Sequence, residues 1–110
     1  MINWPATDTV LVDIYDERSR QDEKWGEQNH PDGTNDGAQD IERADAARIR
    51  ADLAARGGTL TWRHILDEEV QEAFAEVHPA RLRAELIQVA AVATAWVEHI
   101  DRRGARSGTG

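Results

Sequence analysis

Apolar residues recur at helical spacing through the second half of the chain, and one proline interrupts them. The first series runs over residues 59–77 and the second over residues 80–103, each with a period of about 3.6 residues. His78-Pro79 separates them, because the residue before a proline avoids helical angles. The two series consist of Trp62, Ile65, Leu66, Val70, Ala73, Phe74 and Val77, and of Leu82, Leu86, Val89, Ala90, Ala93, Val97 and Ile100. This pattern predicts two consecutive amphipathic helices joined by a short turn.

Two further helices are predicted in the first half of the chain. The first begins at a cap among residues 7–9 and ends near Lys24. The second spans about residues 38–56, where apolar side chains are few and mostly alanine, so we expect it to pack at the periphery. Residues 26–37 are dense in Asn, Asp, Gly and Pro, which is typical of a loop. Because no segment is a convincing strand, the sequence predicts an all-α fold, a four-helix bundle.

The size and composition of the chain exclude several classes of protein. Its 110 residues fit one small domain, which we expect to span residues 1–103, followed by a flexible tail at 104–110. The absence of cysteine excludes disulfides, zinc–thiolate sites and thiol nucleophiles. No apolar run reaches the roughly 18–20 residues that span a membrane. The first ten residues lack the pattern of a signal peptide, so we expect a cytoplasmic protein.

The charge balance argues against a nucleic-acid polymer as partner. Thirteen basic and twenty-one acidic residues give a formal net charge of −8. Binding a phosphate backbone requires clustered Lys and Arg, which this balance does not favour. A small polyphosphate ligand remains compatible with the charge, because a bound metal ion reverses the local field.

Two pairs of oxygen-bearing side chains lie on the two predicted C-terminal helices. Glu69 and Glu72 are three residues apart, and so are Glu85 and Gln88. Residues at this spacing project from the same helix face, so a helical hairpin can bring both pairs together. Oxygen ligands suit a hard cation such as Mg²⁺ or Mn²⁺. The spacing alone is also compatible with a solvated acidic helix face.

A second polar cluster lies at the C-terminal end of the first predicted helix. Arg18 and Lys24 could neutralise phosphate oxygens, Gln21 could bond a base or sugar, and Trp25 could stack on a base. The alternative is a charged helix end whose tryptophan anchors the following loop. The chain contains neither a glycine-rich nucleotide-binding loop nor a histidine pair with zinc spacing, and it has only two serines. Metal-activated water is the chemistry that remains.

Two segments of the chain resemble the MazG-like branch of the all-α nucleoside triphosphate pyrophosphohydrolases, especially the small phage and actinobacterial forms. The first segment is ERSRQDEKWGEQNHPDG. The second is TWRHILDEEVQEAFAE, followed by LRAELIQVAAVATAWVEHIDRR. Together they cover about half of the chain and include both clusters. The family's metal signature, E-x-x-E followed by E-x-x-D, matches Glu69, Glu72 and Glu85, whereas Gln88 replaces the final aspartate.

The resemblance implies hydrolysis of a nucleoside triphosphate to a monophosphate and pyrophosphate. It implies Mg²⁺ held by Glu69, Glu72 and Glu85, with Gln88 at the fourth ligand position and Glu68 as a carboxylate that orients the attacking water. The substrate contacts that it implies are Arg18, Gln21, Lys24 and Trp25. It also implies a homodimer or homotetramer.

The substitution at position 88 keeps two other functions open. An amide oxygen can bind Mg²⁺, but it carries no charge and cannot act as a base. A protein with this fold that sequesters or senses a nucleotide without hydrolysing it is therefore one alternative. The other is a helical interaction module whose acidic face serves solubility.

Overall fold

The protein is all-helical in the computed structural model, which describes residues 2–35 and 37–106. These residues form four helices and no strand, which confirms the predicted all-α class. The helices are α1 (Trp4–Trp25), α2 (Ala38–Arg56), α3 (Trp62–Phe74) and α4 (Pro79–Arg106). None of the helices in the described ranges is long and apolar enough to cross a membrane.

The chain divides into two compact units, each described by itself. One unit combines the stretch up to Pro31 with the stretch from Thr94 onwards, and the other is Asp32–Ala93. Helix α4 belongs to both units, and it continues three residues beyond its predicted end at Arg103. The rest of the predicted tail, residues 107–110, lies outside the described residues. The assignment of residues 1–103 to a single domain stays a prediction.

Helix α1 begins earlier than its sequence pattern predicts. Its N-cap is Asn3, whose side-chain oxygen accepts a hydrogen bond from the Ala6 amide at 3.3 Å, and Pro5 lies in the first turn. Proline suits this position because its fixed φ is helical and its missing N–H has no partner there anyway. Thr7 is therefore not the cap. It is buried, and its hydroxyl donates to Glu98 at 3.1 Å.

Helix α2 packs against α3 through alanines rather than through its larger apolar residues. Its buried residues are Asp40, Ala44, Ala47, Ala51 and Ala54. Across the interface Ala73 of α3 is 1% exposed, whereas Ile49 and Leu53 of α2 lie on the surface. The structure corrects the expectation of a peripheral helix, because small side chains allow two helix backbones to approach closely.

Helix α3 has well-defined ends. Thr61 caps its first turn, and His64 completes a reciprocal capping box. The helix ends at Phe74, whose carbonyl accepts a hydrogen bond from the Asn35 amide at 2.7 Å. It is therefore shorter than the predicted span to Val77. The four residues after Phe74 then bring the chain to Pro79, where α4 begins.

Candidate metal centre

Three glutamates from α3 and α4 converge in the unit formed by residues 32–93. Glu69 and Glu72 lie three residues apart on α3, and Glu85 lies in the second turn of α4. One carboxylate oxygen from each residue lies within 4.8 Å of the other two. All three side chains are half-buried. The structure thus brings together three of the four predicted metal ligands in a cluster that could hold a metal ion.

Burial and mutual repulsion raise the pKa of all three carboxyl groups above the ordinary value of 4.5. Burial is the largest cause of the raised pKa in each case. It raises the pKa because removal from water disfavours the charged form of the carboxyl group. For Glu69 the charges of Glu72, Glu85 and Glu68 add to this effect. For Glu85 the charges of Glu72 and Glu76 do so. The cluster therefore holds more negative charge than its surroundings stabilise.

Two oxygens of the cluster have no hydrogen-bond partner. Oε2 of Glu69 and Oε2 of Glu85 are buried and unpaired within the described ranges. When one carboxyl group of the pair Glu72 and Glu85 is protonated, a hydrogen bond between them raises the pKa of Glu85 and lowers that of Glu72. A buried carboxylate oxygen without a partner is costly. A cation placed among the three groups would offset both the unpaired oxygens and the repulsion.

The oxygen separation can be tested against the size of hard cations. Oxygens on opposite sides of Mg²⁺ lie about 4.2 Å apart, and those around Ca²⁺ about 5 Å apart. The three oxygens lie no more than 4.8 Å apart, which is between these values. Oxygens at adjacent positions around Mg²⁺ lie about 3 Å apart, so the side chains would close around an ion of that size by up to about 2 Å. The residues fit a divalent hard cation whose other ligands come from water or from a bound ligand.

Glu68 and Gln88 lie next to this cluster in sequence and differ in their surroundings. Glu68 is half-buried, and its charge raises the pKa of Glu69 and of Glu72. Gln88 is exposed, one turn beyond Glu85 on α4. The roles of Glu68 as a water-orienting carboxylate and of Gln88 as a ligand stay predictions.

Arg48 is a neighbour of the cluster that sequence reasoning missed. Its positive charge lowers the pKa of Glu72 and opposes the larger effect of burial. Its guanidinium also pairs with Asp45 at 2.9 Å. Arg48 lies on α2, twenty-four positions before Glu72 in sequence. Only the packing of α2 against α3 brings the two side chains within electrostatic range, and no motif in the sequence indicates it.

The predicted substrate contacts lie on α1, in the unit that contains residues up to Pro31. Arg18 donates to the side-chain oxygen of Gln21 at 2.9 Å, and the Lys24 ammonium lies 4.8 Å from the centre of the Trp25 ring. All four side chains are exposed, and Trp25 is 64% exposed. The helix thus presents cations, an amide and an indole on its surface, next to one another at its C-terminal end. Their role in substrate binding stays a prediction.

Comparison with known proteins gave no relative. No protein-family model, no curated protein and no solved structure matches the chain.

Proposed function

We propose that this protein is a divalent-cation-dependent nucleoside triphosphate pyrophosphohydrolase. The observation that carries the proposal is the cluster of Glu69, Glu72 and Glu85, with its raised pKa values and two unpaired buried oxygens. A hard cation in a helical site is commonly used to bind phosphate groups. The family resemblance of the surrounding sequence narrows this chemistry to the triphosphates of nucleosides.

Each residue of the proposed site has a distinct task. Glu69, Glu72 and Glu85 hold Mg²⁺ or Mn²⁺, which supplies Lewis-acid stabilisation of the phosphate charges. Glu68 accepts a proton from water as the water attacks the α-phosphorus. The bond from that phosphorus to the oxygen bridging to the β-phosphorus breaks, and the nucleoside monophosphate and pyrophosphate leave. The positive charge of Arg48, which lowers the pKa of Glu72, limits the repulsion among the carboxylates.

The residues on α1 have a proposed role in holding the nucleotide. The Trp25 indole offers a face on which a base can stack, worth about 1–3 kcal/mol. Arg18 and Lys24 supply positive charge for phosphate oxygens, and Gln21 supplies an amide for the base or sugar. Base preference does not follow from these residues, because stacking is indifferent to the base.

A protein that binds a nucleotide without hydrolysing it is the second candidate. The observation that favours it is Gln88, a neutral and exposed side chain where the resembling family has an aspartate. A site with one carboxylate fewer binds a divalent cation less tightly. In this case the triphosphate supplies the missing negative charge, and the complex is long-lived because water is poorly activated.

Self-association is part of the proposal. Of the 22 residues of α1 only Thr7 and Val10 are buried, although the helix carries a row of large apolar residues. The exposed members of this row are Leu11, Val12, Ile14 and Tyr15. Exposed apolar patches of this kind mark protein–protein contacts. We expect a homodimer or homotetramer, which light scattering coupled to gel filtration would measure.

The decisive experiment measures pyrophosphate release from a panel of ribo-, deoxy- and modified nucleoside triphosphates with Mg²⁺ or Mn²⁺. We expect release that EDTA abolishes and that Glu72→Ala reduces at least about a hundredfold, since removing even an outer contact of a metal site costs 10- to 100-fold. Glu42→Ala is the matched control, because Glu42 is an exposed glutamate on α2 in the same unit.

Three results would count against metal-dependent hydrolysis. Release that persists in EDTA would exclude the metal centre as its cause. No release from any nucleotide, together with metal-dependent nucleotide binding, would establish the second candidate instead. If neither release nor binding occurs, the protein is an interaction module without a nucleotide ligand.

A further inference from the structure

A cleft with a volume of about 510 Å³ lies where the second half of α2 meets the start of α3. Its lining residues are Arg50, Thr61, Arg63, His64 and Asp67. All of them belong to the unit of residues 32–93. None of the three carboxylates of the candidate metal centre lines it. A volume of this size is in the range of small-molecule sites, about 300–1,000 Å³.

Two guanidinium groups line the cleft. Arg63 has an exposed side chain that makes no hydrogen bond or ion pair in the described part of the chain. Arg50 pairs with Asp67 through a single nitrogen, at 3.1 Å. An arginine carries five N–H donors, so one such contact leaves most of the Arg50 donors available. The two arginines outnumber the one acid in the lining, in a chain whose net charge is −8.

His64 contributes a further donor, because its neighbours determine its tautomer. The Thr61 amide donates to Nδ1 of His64 at 3.1 Å, as part of the capping box. The Thr61 hydroxyl also lies 2.7 Å from the same nitrogen. A nitrogen that accepts a hydrogen bond carries no hydrogen, so in the neutral ring the hydrogen is on Nε2. The cleft is thus lined by donors from Arg50, Arg63 and His64.

These donors are suited to an oxyanion and unsuited to a cation. A guanidinium binds phosphate through two parallel N–H···O bonds, and several donors satisfy the several oxygens of a tetrahedral group. A metal ion would be repelled by both arginines. The first turn of α3 contains no acidic residue that would oppose an anion. We propose that this cleft binds the phosphate group of a small molecule.

The cleft is separate from the metal centre, and the proposal does not depend on nucleotide hydrolysis. Successive residues of an α-helix are rotated by about 100°, so Asp67 and Glu69 point in directions about 160° apart. The cleft and the carboxylates therefore use different faces of α3. Phosphate binding to the cleft should persist in EDTA and in Glu72→Ala.

The test is a titration of the full chain with inorganic phosphate in EDTA, followed by the amide resonances in ¹H–¹⁵N NMR spectra. We expect saturable shifts at residues 61–64. Arg63→Gln should weaken binding about tenfold or more, because it removes charge-assisted hydrogen bonds. Arg83→Gln is the matched control, an exposed arginine on α4 in the same unit, and it should leave the affinity unchanged.

A second variant should change the affinity in the opposite direction. Asp67→Asn removes the acid from the lining and releases Arg50, so phosphate should bind severalfold more tightly. Asp52→Asn removes the same charge at an exposed position on α2, outside the lining, and should have little effect. The melting temperature of each variant verifies that it is folded, since surface substitutions change stability by about 0.5 kcal/mol or less.

Three results would overturn the proposal. The first is the absence of a saturable response to phosphate in the wild-type chain. The second is an equal loss of affinity in Arg63→Gln and Arg83→Gln, which would indicate general electrostatic attraction. The third is binding of citrate or acetate at residues 61–64 without binding of phosphate, which would make the cleft a carboxylate site. Binding of adenosine monophosphate with the same dependence on Arg63 would support a phosphate-bearing metabolite as the ligand.

Discussion

The polar cluster on α1 and the carboxylate cluster of α3 and α4 are both dense in charged groups, but their surroundings are opposite. On α1 the side chains are exposed and satisfy one another along the helix, as in the bond from Arg18 to Gln21. Arg20 likewise pairs with Glu17 at 2.8 Å, and the pKa of Glu17 is lowered by that contact. In the carboxylate cluster every pKa is raised, and two buried oxygens lack partners among the residues that the structure describes.

The comparison indicates which cluster would be stabilised more by a bound cation. The charges of the α1 cluster cost the folded protein little without a ligand, because each of them is solvated or paired. The carboxylate cluster is destabilising unless it is protonated or bound to a cation, since like charges are held together at the edge of the protein interior. A cation at the carboxylates would therefore relieve repulsion that is already present in the folded protein, whereas a ligand at α1 would stabilise the protein only through the contacts it adds.

The largest effect should come from removing a metal ligand. Glu85→Gln keeps the shape of the side chain and removes its charge, and it should weaken Mn²⁺ binding at least about a hundredfold. Calorimetric titration would measure the affinity without reference to activity. Glu23→Gln on α1 is the exposed control and should bind Mn²⁺ as the wild type does. An equal loss of Mn²⁺ affinity in both variants would show that the carboxylate cluster binds the cation no more specifically than the exposed acids of α1.

The next effect concerns Trp25. If Trp25 stacks on a base, Trp25→Ala should weaken nucleotide binding about tenfold, and Mn²⁺ affinity should not change. Trp4→Ala is closely matched, because Trp4 is 63% exposed and Trp25 is 64% exposed on the same helix. Equilibrium binding of a fluorescent nucleotide would compare them. An unchanged nucleotide affinity in Trp25→Ala would show that the tryptophan does not stack on the base, which would favour the alternative role of anchoring the loop.

A smaller effect is expected from restoring a carboxylate at position 88. Gln88→Asp should tighten Mn²⁺ binding about fivefold, because a unit charge about 8 Å from a divalent cation in a water-like medium adds about 1 kcal/mol. The exposure of Gln88 limits the gain. Gln28→Asp, in the exposed loop after α1, controls for the change in net charge. A gain shared by both variants would mean that Gln88 is not near the cation.

The smallest effect is on the stability of the metal-free protein and depends on pH. The pKa values of Glu69, Glu72 and Glu85 are raised above 4.5, so the folded state holds its protons to higher pH than the unfolded state. The carboxylates therefore destabilise the fold progressively as pH rises above about 4.5, by no more than about 1 kcal/mol each at partly exposed sites.

The triple variant Glu69→Gln, Glu72→Gln, Glu85→Gln tests this dependence. In EDTA its melting temperature should exceed that of the wild type by an amount that grows from pH 4.5 upwards, as calorimetry would measure. Mn²⁺ at neutral pH should stabilise the wild type and not the variant. A difference that stays constant across the pH range would show that repulsion among these three groups is not its origin.

Local sequence predicted the helices well, because the signals that form them lie within a few residues. The second helix has the bounds that its composition predicted, and α3 begins at Trp62, three residues after its predicted start at residue 59. The predicted start of α1 is wrong, because the two threonines and the aspartate in residues 7–9 are also good caps, whereas the helix begins at the combination of Asn3 and Pro5. The end of α3 depends on a loop amide from Asn35, which no local pattern shows.

The sequence by itself determined the helical class and the helix faces that carry Glu69 with Glu72 and Glu85 with Gln88, because a period of 3.6 residues places residues three apart side by side. Tertiary structure decided how those faces are used. It buried the alanines of α2 while leaving Leu53 exposed, brought Arg48 within range of Glu72, and left two carboxylate oxygens without a partner. Burial and charge pairing depend on what lies across the interface, and residues distant in sequence supply it.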